Sequence, residues 1–203
     1  YNFEKLYING QWQDSSSGRF IEVENPATLE HFAKVPEGNS EDIDRAVRAA
    51  HDAFESWSKT ELGTRIGLMK KMLAVFESYK DQIIDLEVKE LGAPVSFSVQ
   101  SHCVYQFTRT RSYIDCAAEL PLEESLKQST VYREPIGVVA CITPWNYPLG
   151  QVVQKIIPAI LMGNTVVLKP SQHTPLTAYL LVDAFDQAGF PAGVINMVSG
   201  KGR

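Results

Sequence analysis

The sequence predicts an α/β protein in which a β-hairpin and a set of helices precede half of a doubly wound parallel sheet. Three observations lead there. Short apolar runs occupy residues 137–143, 164–168 and 194–198; stretches of helical character at 151–162 and 176–188 separate them; and an Asn9-Gly10 pair joins two strand-like segments near the start. Parallel strands need helical crossovers, and this order supplies two.

The opening residues 6–8 and 11–12 read as strands around Asn9-Gly10, a dipeptide suited to a type I′ turn. Residues 20–23 and 32–35 look like further strands, separated by Asn25-Pro26-Ala27-Thr28, and the polar patch 13–18 reads as a turn. Asn39-Ser40 are good helix caps, after which Ile43, Ala46, Val47, Ala50 and Phe54 recur at helical spacing. Residues 65–79 and 82–91 behave likewise, and Gly92 and Pro94 supply a stop. Val99, Cys103, Phe107 and Ile114 predict a fourth long helix reaching 116–118. Residues 130–133 form a strand-like arm segment. The run 137–143 has the continuous apolar character of a strand buried on both faces. Pro158 should kink the helix 151–162 or mark its restart. The last strand, 194–198, is expected to be left as an exposed apolar edge that favours self-association. The chain thus divides into a hairpin-and-helix part (1–118), an arm (119–135) and a βαβαβ half (136–203), and is expected to be truncated before the rest of the sheet.

With 203 residues, 44% of them hydrophobic, the chain can bury a real core. A net charge of −5 argues against nucleic acid or a membrane surface as partner, because either needs a basic face. The longest apolar stretch, around 156–162, is interrupted by Pro158, and no signal-like segment opens the sequence; the expectation is a soluble, cytoplasmic protein. Cys103, Cys116 and Cys141 lack a metal or redox spacing, and His31, His51, His102 and His173 are scattered, so no metal site is expected.

Ligands of doubly wound sheets sit outside the carboxyl ends of the strands, which here are 143–146, 169–172 and 199–202. Thr143-Pro144-Trp145-Asn146-Tyr147-Pro148 brackets an asparagine between two prolines that fix the backbone. Asn146 reads either as a cap of the strand-to-helix turn or as an amide aimed at an oxygen that becomes negative during reaction. Lys169-Pro170-Ser171 reads either as an ordinary surface turn or as a cation placed to meet a ribose or phosphate oxygen.

Taken together, the segments Glu134-Pro135-Ile136-Gly137-Val138-Val139, 143–148, Pro158-Ala159-Ile160-Leu161-Met162-Gly163-Asn164, Lys169-Pro170-Ser171, Thr174-Pro175 and Ala188-Gly189-Phe190-Pro191-Ala192-Gly193-Val194 resemble the aldehyde dehydrogenase superfamily. Tyr7-Ile8-Asn9-Gly10 and Asn25-Pro26-Ala27-Thr28 extend the resemblance to the front, so that it covers essentially the whole chain. It implies a Rossmann-like fold, NAD or NADP as cofactor, an aldehyde substrate oxidised to the acid through a thioester, and a homo-oligomer paired through the arm 126–133. It further implies that Asn146 donates to the oxyanion, that Lys155 supports the active-site network, and that Tyr147 and Gln151 line the aldehyde's entry. The backbone of Ile142, Thr143, Pro144 and Trp145 would pass along the cofactor, with Lys169, Ser171 and Gln172 near its ribose and Gly200 and Gly202 in the glycine turn after the third strand. For Lys155 a helix-surface salt bridge is an equally good reading.

Two departures from the family pattern matter. Gln172 stands where many NAD-using relatives have a glutamate, so the charge that would repel a 2′-phosphate is absent. The resemblance also places the family's nucleophilic cysteine and general-base glutamate downstream of residue 203, so this chain alone is expected to be inactive. Cys141, inside an apolar run, reads as a core side chain rather than a substitute nucleophile. A non-catalytic protein that binds a nucleotide or pairs with full-length subunits is the alternative. An unrelated Rossmann dehydrogenase is disfavoured, because Pro144-Trp145-Asn146-Tyr147-Pro148 stands where a glycine-rich phosphate turn would be needed.

Overall fold

The computed structural model describes residues 3–202. Strands β1 (Leu6–Ile8) and β2 (Gln11–Gln13) form the opening hairpin, with Asn9 and Gly10 at φ of 54° and 73°, the left-handed pair that a type I′ turn requires. A separate antiparallel pair follows, β3 (Phe20–Glu24) with β4 (His31–Pro36). Helices α1 (Ser40–Ser58), α2 (Leu62–Ser78) and α3 (Lys80–Leu91) come next. A short α4 (Val95–Phe97) runs into a π-helical stretch, Ser98–Val104, and on into α5 (Tyr105–Glu119). The expected fourth helix is therefore present but carries a π segment in its first half.

Residues 119–135 contain a two-stranded hairpin, β5 (Glu123–Leu126) with β6 (Ser129–Tyr132), exposed at every position. The first of these strands has no counterpart in the sequence reading. The parallel unit follows as β7 (Val138–Ile142), α6 (Pro148–Leu161), β8 (Thr165–Lys169), α7 (Leu176–Gln187) and β9 (Ile195–Met197). Helix α6 continues through Pro158 to Leu161 rather than restarting there.

One five-stranded sheet has the order β2-β1-β9-β8-β7, with β7, β8 and β9 parallel and β1 antiparallel to β9. This corrects two expectations. Strand β9 is not an apolar edge, because the N-terminal hairpin covers it. The apolar run that ends in β7 is itself the edge, and only Cys141 within the strand is buried. Its apolar residues suggest double burial because periodicity cannot distinguish a central strand from an edge strand.

Strand alternation divides the core in two. Leu6, Ile8, Val167 and Val198 pack with Ala46 and Ala50 of α1 on one face. Tyr7, Val166, Leu168, Ile195 and Met197 join the larger cluster formed with α6 and α7, behind which α2, α3 and α5 are layered. Asn196, fully buried, ties the sheet across its strands: its Oδ1 accepts from the Asn9 N–H at 2.9 Å and its Nδ2 donates to the Gly193 carbonyl at 2.8 Å.

Helix α1 starts with the expected Asn39 cap, completed by Asp42 as a capping box. Burial alone would push the Asp42 carboxyl up, but hydrogen bonds from the Ser15 hydroxyl, the Ser16 and Asn39 N–H groups and Arg45 bring it down to about 2. Helix α7 begins without a local cap. Its Leu176 and Thr177 N–H groups donate instead to Glu90 of α3, at 2.7 and 3.2 Å.

Glu90 is buried, and desolvation, reinforced by the charge of Glu87, raises its carboxyl to about 8 against an ordinary value of 4.5. Between these values the folded protein holds a proton that the unfolded chain has released, so this group's contribution to stability declines as pH rises through that window. Glu90→Gln keeps an acceptor for the α7 N–H groups and removes the titration. Urea unfolding between about pH 5 and pH 8 should therefore show a steeper loss of stability in the wild type than in the variant. Parallel pH profiles would refute the assignment.

Candidate functional site

The carboxyl ends of β7 and β8 and the turns that follow them carry the residues of interest. Thr143 is buried and its N–H bonds the Lys169 carbonyl at 3.2 Å, which extends the β7–β8 pairing by one residue. Beyond it the chain emerges: Ile142 is 67% exposed and Trp145 56%, and Pro144 and Asn146 are exposed as well. The Thr174 hydroxyl donates to the Trp145 carbonyl at 3.2 Å and pins the turn to the loop before α7.

Tyr147 is the residue at the N-cap position of α6, and its side chain makes no capping bond. Asn146 is therefore not the cap that one reading of the sequence allowed. Its side chain makes no hydrogen bond with any described residue, which leaves both amide protons free for a ligand. Tyr147, by contrast, is anchored. Its hydroxyl donates to the Ser101 carbonyl at 2.6 Å, its ring lies 4.4 Å from that of His102, and a side chain at Gly150 would collide with it.

Gln151 and Lys155 share one face of α6, the Lys155 ammonium donating to the Gln151 side-chain oxygen at 3.1 Å. The salt bridge considered for Lys155 is thus replaced by a bond to a neutral amide. Lys155 also lies near Cys141, whose thiol burial pushes up to about 11 despite that nearby charge.

Lys169 lines a cavity of about 360 Å³ with Gly38, Asn39, Ser199 and Gly200. Half-buried, its ammonium is lowered by desolvation and makes one long bond, 3.4 Å to the Pro170 carbonyl. A partly desolvated donor with unused protons, beside glycine backbone, fits a hydroxyl-rich ligand such as a ribose. Gln172 lines a different cavity, of about 420 Å³, with Trp145, Thr174 and Glu90. Ser171 accepts from the His173 N–H at 3.3 Å. The structure thus brings Lys169 and Gly200 together, and separately Trp145 and Gln172. Gly202 is exposed and lines neither cavity, and Arg203 of the same turn lies outside the described residues.

The residues behind the site escaped the sequence reading. Glu87 and His102 are both buried, with His102 Nδ1 3.0 Å from Glu87 Oε2, and Glu87 and Glu90 sit one turn apart on α3. The available signal was two acids on the face of α3 that also carries Ile83 and Leu86.

The model of the aldehyde dehydrogenase family matches residues 12–203. A Staphylococcus aureus protein whose name places it among the aldehyde dehydrogenases is 40% identical over 99% of this chain, which spans 42% of that relative. Aldehyde dehydrogenase C of Pseudomonas syringae, solved as a mutant with NAD+ and octanal, superposes at a TM-score of 0.95 with 38% identity, over 98% of this chain and 41% of its own. The aldehyde dehydrogenase of Bartonella henselae superposes at 0.95 with 36% identity, over 98% and 43%. The chain thus spans about two fifths of the length of the relatives it matches. No helix of the described residues is long and apolar enough to cross a membrane.

The thiols give the site a direct check. Cys141 and Cys103 are buried, with desolvation raising them to about 11 and about 12, whereas Cys116 is exposed. Iodoacetamide on the native protein near neutral pH should label Cys116 and leave the other two until unfolding. Labelling of Cys141 at the rate of Cys116, read by peptide mass spectrometry, would reopen that thiol as a nucleophile.

Proposed function

This chain belongs to the aldehyde dehydrogenase family, and on that premise we propose that it is the N-terminal, cofactor-binding part of an NAD(P)-dependent enzyme that oxidises an aldehyde to a carboxylic acid through a thioester. The observation that carries the reading is the Asn146 amide: exposed, without a partner among the described residues, and held by a proline-bracketed turn at the carboxyl end of β7. A preorganised donor of this kind stabilises an oxygen as it becomes negative, with no reorganisation at the moment of reaction.

Lys169 would hold the ribose of the dinucleotide in the cavity it shares with Gly38, Asn39, Ser199 and Gly200. Ile142, Pro144 and Trp145 offer an exposed strip along which the cofactor would lie, with Ser171 and Gln172 at its side and Gly200 and Gly202 in the following turn. When bound, the cofactor would take up hydride. The NAD+ present in the Pseudomonas syringae structure, and in that of a Bacillus cereus aldehyde dehydrogenase 34% identical to this chain, supports the cofactor class. Tyr147 and Gln151 would border the aldehyde's path, and Lys155 would hold Gln151 in place. The nucleophilic cysteine and the general-base glutamate would come from sequence beyond these residues, so the 203 residues alone would turn over no aldehyde. The β5–β6 hairpin, exposed along its whole length with Leu126 and Tyr132 half or more uncovered, suits the role of an arm pairing subunits of a cytoplasmic oligomer.

In the enzyme that carries this sequence, Asn146→Ala should lower kcat by roughly two to three orders of magnitude while the fold survives, the usual cost of losing one oxyanion donor. Steady-state kinetics of wild type and variant, monitored by reduced-cofactor absorbance, decide this. Near-normal kcat in the variant would remove the assigned role, and a wild type inactive on all short and aromatic aldehydes would remove the function.

Gln172, a neutral group, does not repel a 2′-phosphate, so measurable use of NADP beside NAD is expected. Gln172→Glu should shift the ratio of kcat/KM toward NAD. An unchanged ratio would mean that cofactor choice is set elsewhere, an outcome made informative by the separate cavities of Gln172 and Lys169.

A further inference from the structure

The turn that presents Asn146 rests on a buried polar cluster that the sequence did not announce. Tyr147, the next residue, is fixed by its hydroxyl bond to the Ser101 carbonyl, by ring contact with His102 and by close packing on Gly150. Ser101 and His102 both lie in the π-helical stretch Ser98–Val104, a local widening that recurs where helices serve function. Gln106, one turn on, donates to the same Ser101 carbonyl at 2.7 Å and reaches the Tyr147 hydroxyl at 3.4 Å.

Behind His102 stands Glu87. Its carboxylate is fully buried, 3.0 Å from His102 Nδ1, and beside the N–H of Leu149 in the first turn of α6. Neither carboxylate oxygen has a hydrogen bond of good geometry among the described residues. Such a pair is expensive to bury and contributes little to stability compared with apolar packing, so a role beyond stability is the economical account of it. From these contacts we infer that Glu87 and His102 are positioning residues for Asn146: together they hold the Tyr147 ring and the start of α6, and so set the direction of the neighbouring amide.

The inference rests on Asn146 being the oxyanion donor, and its test separates the two. A donor displaced by about 1 Å loses much of its effect, so His102→Ala in the whole enzyme should lower kcat roughly ten- to a hundredfold with little change in KM for cofactor or aldehyde. The deciding measurement is the double-mutant cycle with Asn146→Ala. Positioning acts through Asn146, so the cost of His102→Ala should largely vanish in the Asn146→Ala background, whereas general damage to the fold would cost the same fold-change in both. Glu87→Gln, nearly identical in shape, runs through the same cycle and keeps the test decisive if His102→Ala does not fold. Additive effects, or unchanged kcat in the folded variant, would overturn the positioning role. A small effect of Asn146→Ala by itself would instead overturn the reading of the site on which the inference rests.

Discussion

The carboxyl groups of Glu87 and Glu90, buried one turn apart on α3, are the constraint on which the arrangement of the site depends. Helices α6 and α7 carry the segments that follow β7 and β8, and neither has a side-chain cap of its own. Proline begins α6 and precedes α7, so the first free N–H groups belong to Leu149 and Leu176. Glu90 accepts from Leu176 and Thr177, and Glu87 lies beside Leu149. Free N–H groups at a buried helix start need an acceptor, and here a single helix, α3, places a carboxyl group beside each. The placement of α3 therefore fixes the two helices relative to each other, and an acid that ordinarily would avoid the interior is kept there by backbone donors with no water to satisfy them.

The sheet shows a complementary division of labour. On the β9 side the opening hairpin closes the edge, and Asn196 bridges the hairpin turn to the parallel strands. On the β7 side no further strand pairs among the described residues, and Ile136, just ahead of β7, and Ile142, its last residue, are 89% and 67% exposed. Apolar residues on an unpaired strand edge form a surface suited to further pairing, and the strand with that edge leads directly to Asn146. The opening hairpin thus completes the side of the sheet away from the site, and the Tyr7 hydroxyl, donating to the Asp186 carboxylate at 2.9 Å, ties it to a residue of α7 that lies 179 positions further along the chain.

What the sequence made legible is what a few neighbouring residues determine. Asn9-Gly10 forms its predicted turn, Asn39 its cap and Gly92 its helix stop, because each is a backbone preference satisfied within four or five residues. The β-α-β-α-β order of residues 138–197 was likewise readable from runs and breaks in apolar character. The partners of strands and acids were not. Nothing local says that β1 lies beside β9 instead of returning elsewhere, or that the turn 13–18 closes on the Asp42 carboxylate. The π-helical stretch is hidden for a related reason: Val99, Cys103 and Phe107 keep a four-residue spacing that fits an α-helix as well as the widened one. His102 looked isolated because its partners, Glu87 and Tyr147, come from helices far away in sequence.

Those distant partners explain how the backbone that carries an exposed asparagine can have a defined course. The turn 143–148 is held at three points by three different elements: Thr143 by the Lys169 carbonyl of β8, the Trp145 carbonyl by Thr174 ahead of α7, and Tyr147 by Ser101 of the π-helical stretch. Pro144 and Pro148 remove much of the remaining backbone freedom between those points. Every restraint falls on the neighbours of Asn146 and none on its own amide. A side chain whose backbone is fixed while its donors stay free keeps its full hydrogen-bonding capacity for a ligand, and the backbone part of the ordering cost is met during folding instead of during binding. That division requires contacts from β8, the α7 loop and the α5 region at once, so the geometry of this one amide is a property of the whole packed unit.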